Sequence, residues 1–225
     1  MQADANYVVS TERGTNLEHK GVQLHTTEHV LAALVGCDLD NVIIELNASE
    51  PPIMDGSSKY FVEAAEKAGL LEQDAEREEY IVKEVISYQD ERTGSEIIIM
   101  PADEYQVTAM VDFGTKVLGT QNATLKNLSE FKAEISEART FSFLHELETL
   151  LSHGLIKGGD LNNAIVYVDK EISPETLENL KTAFGKDDIT VKPNGVLDNL
   201  TLHYPNEAAR HKLLDVVGDL ALIGT

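Results

Sequence analysis

The chain has a single cysteine, Cys37, among its 225 residues. One thiol excludes an intramolecular disulfide framework and a cysteine-rich zinc module, and it is compatible with a reducing cytoplasm. Cys37 follows an apolar run in Val35-Gly36-Cys37, where a small buried hydrophobe is the expected role. Basic residues are scarce too: 18 Lys and Arg face 39 Asp and Glu, giving a net charge of −21 at pH 7. That balance argues against a nucleic-acid partner and against binding to anionic lipid. No apolar run approaches the roughly 18 residues of a membrane span. Met1-Gln2-Ala3-Asp4 has neither a basic n-region nor an apolar h-region. A soluble, cytoplasmic protein without membrane insertion is expected.

What is present suffices for a sizeable core, in one large domain or two small ones. Residues 6–24 alternate weakly around Arg13-Gly14-Thr15-Asn16, predicting strand, loop and strand. Thr26 or Thr27 is expected to cap a helix carrying Glu28 and His29, with Val30, Leu31, Leu34 and Val35 as its buried stripe and Gly36 at its end. Asn41 to Leu46 reads as a β-branched strand and Pro51 to Ser58 as a loop, after which Ser57 or Ser58 caps a helix over 60–67. The charged stretch Glu72 to Glu79 reads as a solvated linker. The boundaries predicted from it are a first unit 1–72, a linker 73–79 and a second unit 80–225.

Beyond the linker, strands are predicted over 80–88, 95–100 and 105–113, the first two joined by a turn at 90–94. Helices follow from Leu128 and from Phe143 to about Ser152, then a strand over 164–168, a helix opened by Ser173-Pro174-Glu175, a strand at 189–191 and a last helix from Pro205 or Asn206 to Leu222. Strands first and helices second, twice over, predict an α+β fold of two similar two-layer units, with a βαβ excursion in the second.

Chemistry concentrates at two places. His25-Thr26-Thr27-Glu28-His29 sets an imidazole and a carboxylate at a helix start. On the last helix, His211, Asp215 and Asp219 stand at i, i+4 and i+8, a drift of only about 40° over two turns, so all three share a face. Leu213, Val217 and Leu220 are expected to bury another. His29, His211 and Asp215 would make a catalytic zinc set with one position open, and Glu28 is then the candidate general base. Each half alone is also compatible with a helix-dipole feature or a surface pair. A third reading is the inverted zinc-peptidase motif H-x-x-E-H over residues 25–29, in which His25 also binds metal. It ranks second, because Thr26-Thr27 starts the helix and leaves His25 outside.

These residues, with Asp40-Asn41, Pro52-Ile53-Met54-Asp55-Gly56-Ser57, Ala138-Arg139-Thr140-Phe141, Gly154-Leu155 through Gly158-Gly159 and His211-Lys212 through Gly218-Asp219, occur in an order that resembles the UDP-3-O-acyl-N-acetylglucosamine deacetylase (LpxC) family. The resemblance implies a zinc amidohydrolase that commits a sugar nucleotide to lipid A synthesis. His29, His211 and Asp215 would hold Zn(II), Glu28 would be the general base, and the Thr140 hydroxyl would help stabilise the oxyanion. Lys212 would meet the nucleotide part of the substrate and Phe113 the uridine, with Phe141 and Phe143 lining the sugar site. Leu147, Ile156, Gly159, Ala164 and Val166 would line an acyl-chain passage in the βαβ insert over 143–166. Without the resemblance, these aromatic and apolar positions read as core.

Family members begin with a further β-rich stretch before the position of Tyr7 and continue past Thr225 to a histidine that protonates the leaving amine. The chain is therefore expected to be a fragment of low activity, either a weak deacetylase or a catalytically dead scaffold, in which Asp219 lacks the histidine it would orient. Leu118 to Thr124 and Gly159 to Asn163 resemble the branch fused to a hydroxyacyl carrier protein dehydratase.

Overall fold

A computed structural model describes residues 1–147, 163–185, 187, 189–197 and 200–224. Strands β1 (Val8–Ser10), β2 (Asn16–His19) and β3 (Val22–Leu24) form an antiparallel sheet in the order β1-β2-β3. Helix α1 (Glu28–Gly36) follows, then α2 (Lys59–Ala68). Two antiparallel hairpins come next, β4 (Ile86–Gln89) with β5 (Glu96–Ile99), and β6 (Val107–Asp112) with β7 (Thr120–Leu125). The short helix α3 (Phe131–Glu134) leads to β8 (Phe141–Phe143), which pairs in parallel with β9 (Ile165–Tyr167). Helices α4 (Pro174–Phe184) and α5 (Glu207–Leu220) follow. The fold is a mixed α+β arrangement of helices and small sheets.

Helix α5 lies against α1 and against the β6–β7 hairpin. Its Ala209, Leu213, Leu214 and Val217 are fully buried with Ala32 and Ala33 of α1, Leu125 of β7, and Phe131 and Ile135. Cys37 packs against this cluster, as a small hydrophobe should. The helices meet closely because two glycines permit it. A Cβ on Gly218 would fall 2.0 Å from the Glu28 carbonyl oxygen, and one on Gly36 would fall 2.1 Å from the Phe131 ring. The Gly218 contact seats the first turn of α1 beside the third and fourth turns of α5, which brings the two halves of the site together.

Several local expectations are met. The 90–94 turn joins β4 to β5, with Gly94 donating to the Asp90 carbonyl at 2.7 Å. Ser173 caps α4 through Oγ, Pro174 opens it, and Gly185 closes it in the left-handed region. Others differ. Residues 41–46 form no strand, and Ile43 is 90% exposed. A β-branched run becomes a strand only when a neighbour takes its backbone groups, and no described strand does so. Residues 80–85 likewise stay outside β4. Phe143 ends a strand rather than starting a helix, and helical structure begins at 144. Among the described residues the 189–191 stretch makes one isolated bridge, Val191 to Leu197. Neither threonine caps α1 through its side chain; the Thr27 hydroxyl donates instead to the Thr15 carbonyl at 3.0 Å. Leu220 is half-buried.

Candidate metal centre

His29, in the first turn of α1, and His211 and Asp215, one turn apart on α5, place their ligand atoms within 4.8 Å of one another. The His211 Nε2 lies 3.3 Å from Asp215 Oδ1 and the His29 Nε2 lies 3.7 Å from the same oxygen. The two imidazoles meet edge to face, with centroids 4.9 Å apart. His29 and His211 are buried, and Asp215 nearly so.

The donor set fits a divalent cation. His211 Nδ1 pairs with the Ala138 carbonyl at 3.0 Å, which requires the proton on Nδ1 and leaves the Nε2 lone pair aimed at the cluster. Asp215 Oδ1 is buried without a hydrogen-bond partner among the described residues, a state that a bound cation would relieve. Burial and the neighbouring His211 hold the His29 imidazole down at about 4, and burial lowers His211 as well. Both rings are thus neutral at pH 7, the form in which imidazole binds metal. Burial opposes ionisation of Asp215, yet His211 and Lys212 keep its carboxyl below the ordinary range. Two imidazoles and a carboxylate suit zinc.

Glu28 sits beside this centre, 6% exposed. Burial pushes its carboxyl up to about 7, partly offset by hydrogen bonds, among them one from the Thr15 amide to Oε2 at 2.8 Å. The Thr15 hydroxyl donates to Asp219 Oδ1 at 2.6 Å, so one loop residue joins both carboxylates. Partial desolvation raises the Asp219 carboxyl as well, although the residue lies at the solvent edge. His25 is held elsewhere, with Nδ1 3.0 Å from Asn16 Oδ1, and does not join the ligand cluster.

Lys212 donates from Nζ to Asp215 Oδ2 at 2.9 Å and lies 5.6 Å above the Phe141 ring. Phe113 meets Phe141 and Phe143 at 5.5 and 5.6 Å, and Phe141 reaches His211 at 6.4 Å. The three phenylalanines therefore form one aromatic group abutting His211. Thr140 follows two residues after Ala138, its amide donating to the Gly56 carbonyl at 2.8 Å. Gly56 has φ +83°, and a Cβ there would fall 2.0 Å from the Asn163 carbonyl oxygen and 2.9 Å from Thr140 Cγ2. The Met54-Asp55-Gly56 turn thus presses directly on Thr140. Leu147 and Val166 share an apolar cluster with Leu144, Leu180 and Leu197, and Ala164 is half-buried. Ile156 and Gly159 lie outside the described residues, as do Gly154-Leu155 and Gly158-Gly159.

Sequence reasoning gave no site role to Thr15, Arg139 or Glu207 and read Ser58 only as a helix cap, although its side chain makes no cap hydrogen bond. The Ser58 hydroxyl donates to the His29 carbonyl at 2.7 Å, and Arg139 and Glu207 form a buried ion pair beside Ala138. Arg139 and Ser58 stand in or next to motif words that were already notable. Thr15 acts partly through its backbone amide, which no residue pattern reports.

The sequence model of the family described as LpxC, UDP-3-O-acyl N-acetylglycosamine deacetylase, matches residues 1–183 and 178–225. The Bifunctional enzyme LpxC/FabZ of Bacteroides thetaiotaomicron is 44% identical over 224 residues, covering 100% of this chain and 49% of the relative. The protein of the same name from Chlorobaculum tepidum is 44% identical over 222 residues, covering 97% of this chain and 48% of the relative. The UDP-3-O-acyl-N-acetylglucosamine deacetylase of Myxococcus xanthus is 36% identical over 225 residues, covering 100% of this chain and 63% of the relative. The chain spans about half the length of the bifunctional relatives it matches. With a family match running from Met1 to Thr225 and a clustered His-His-Asp set within it, the chain belongs to the UDP-3-O-acyl N-acetylglycosamine deacetylase (LpxC) family.

Proposed function

We propose that the chain carries the centre of a zinc-dependent deacetylase that hydrolyses the acetamide of UDP-3-O-acyl-N-acetylglucosamine, a committing step toward lipid A. The observation that carries this reading is the convergence of His29, His211 and Asp215 beside a buried Glu28. Zn(II) held by these three residues would supply Lewis acidity toward an amide carbonyl. Glu28, whose carboxyl titrates near 7, takes the proton from the attacking water, a task suited to a base poised near working pH. The Thr140 hydroxyl donates to the developing oxyanion. Asp219, tied by Thr15, holds its place beside the base.

Lys212 neutralises diphosphate charge, and the Phe113, Phe141 and Phe143 group receives the nucleoside and sugar. Leu147, Ala164 and Val166, with Ile156 and Gly159, contact the acyl chain. In this reading the chain divides into units 1–72 and 80–225, joined by the fully exposed stretch 73–79. The higher identity to bifunctional relatives supports membership of their branch.

Acetate release from UDP-3-O-acyl-N-acetylglucosamine by the zinc-loaded chain tests the reading. We expect slow release that falls 10²- to 10⁴-fold in Glu28→Gln, the usual contribution of a general base. Equal release by both proteins contradicts it.

A further inference from the structure

The geometry points to a positioning role for Arg139 and Glu207, a buried ion pair outside the ligand set that fixes the imidazole of His211 for metal. The inference rests on the metal-site reading above. Glu207 is fully buried and Arg139 is 5% exposed. The Arg139 side chain donates from Nε to Glu207 Oε1 at 2.8 Å and from Nη2 to Oε2 at 3.3 Å. The Arg139 amide also donates to Oε1, at 3.2 Å, so one carboxylate grips both the side chain and the main chain of the same residue. The remaining capacity is used locally: the His203 amide donates to Oε2 at 2.7 Å, and Arg139 Nη2 donates to the Thr201 carbonyl at 2.7 Å.

The pair closes a ring around His211. Glu207 lies one turn before His211 on α5, and Arg139 directly follows Ala138, whose carbonyl receives His211 Nδ1. The grip of Glu207 on the Arg139 main chain therefore sets where the Ala138 carbonyl stands, and that carbonyl sets the tautomer and tilt of the ring. Groups that orient a metal-binding histidine are commonly worth 10- to 100-fold in metal affinity. A desolvated ion pair with its hydrogen bonds filled contributes little net stability over apolar packing; here it specifies one geometry.

The test measures Zn(II) affinity by competition with a chromophoric chelator, together with the Co(II) absorption spectrum and melting temperature. It compares the unaltered chain, Glu207→Gln, and the double variant Arg139→Met with Glu207→Leu. Both variants are expected to bind zinc 10- to 100-fold more weakly and to alter the Co(II) spectrum, while the double variant melts at or above the parent temperature. Parent-like zinc affinity in the double variant overturns the inference while leaving the metal-site reading intact. A parent chain that takes up no zinc overturns both. Ring ¹⁵N NMR of His211 in the metal-free parent gives an independent outcome: a proton on Nδ1 is expected, and a proton on Nε2 overturns the inference.

Discussion

Gly218 stands so close to the Glu28 carbonyl that a Cβ at position 218 would fall 2.0 Å from the oxygen. The neighbour is backbone in a helix, so it cannot swing aside, and the same helix turn carries Glu28 and His29. Gly218→Ala is therefore expected to push α1 from α5, destabilising the fold by about 2 kcal/mol, the usual penalty of overpacking. It should also weaken zinc binding. Urea unfolding and metal titration check this, and a Gly218→Ala variant as stable as its parent contradicts the close approach.

Thr15 is tied to two carboxylates by different groups, its amide to Glu28 and its hydroxyl to Asp219. Thr15→Val keeps the shape and the amide but removes the hydroxyl. The expected result is a loss of about 1 kcal/mol, measured by chemical denaturation, because Asp219 forfeits a charge-assisted bond at the solvent edge. Thr15→Ser should recover most of it.

In the metal-free protein Glu28 makes stability depend on pH with a defined sign. Its folded carboxyl titrates at about 7, above the ordinary 4.5, so the folded state holds the proton more tightly than the unfolded one. The resulting stability is fully present below pH 4.5 and is lost as the pH rises through 7. Glu28→Gln does not titrate and escapes this loss. Relative to the parent it should gain up to about 3 kcal/mol between pH 4.5 and 8. Unfolding in the presence of a chelator at several pH values checks this, and a flat difference across that range contradicts it.

The candidate ligand residues were legible because helical spacing is a sequence property. His211 and Asp215 at i, i+4 announce a shared face, and Glu28-His29 at a helix start announces the second half. The last helix was readable to within one or two residues, since Leu213, Leu214 and Val217 keep its apolar period. What stayed hidden depends on pairing or on backbone. Strand β7, Thr-Gln-Asn-Ala-Thr-Leu, carries polar residues and was not foreseen; it exists because β6 offers a partner in register from Val107 with Leu125 to Asp112 with Thr120. Residues 41–46 have the stronger β-branched signal and no described partner. The Thr15 amide and the Ala138 carbonyl hold Glu28 and His211 with atoms that every residue possesses, so no residue type marked them. Arg139 and Glu207, 68 positions apart, meet only once the fold is formed.

Metal content of the purified chain tests the central claim most directly. One zinc per chain is predicted for the parent and for His25→Ala, with the metal lost from His211→Ala while far-ultraviolet circular dichroism is retained. Stoichiometric zinc in His211→Ala, or its loss in His25→Ala alone, would contradict the assignment of His29, His211 and Asp215 as the ligand set.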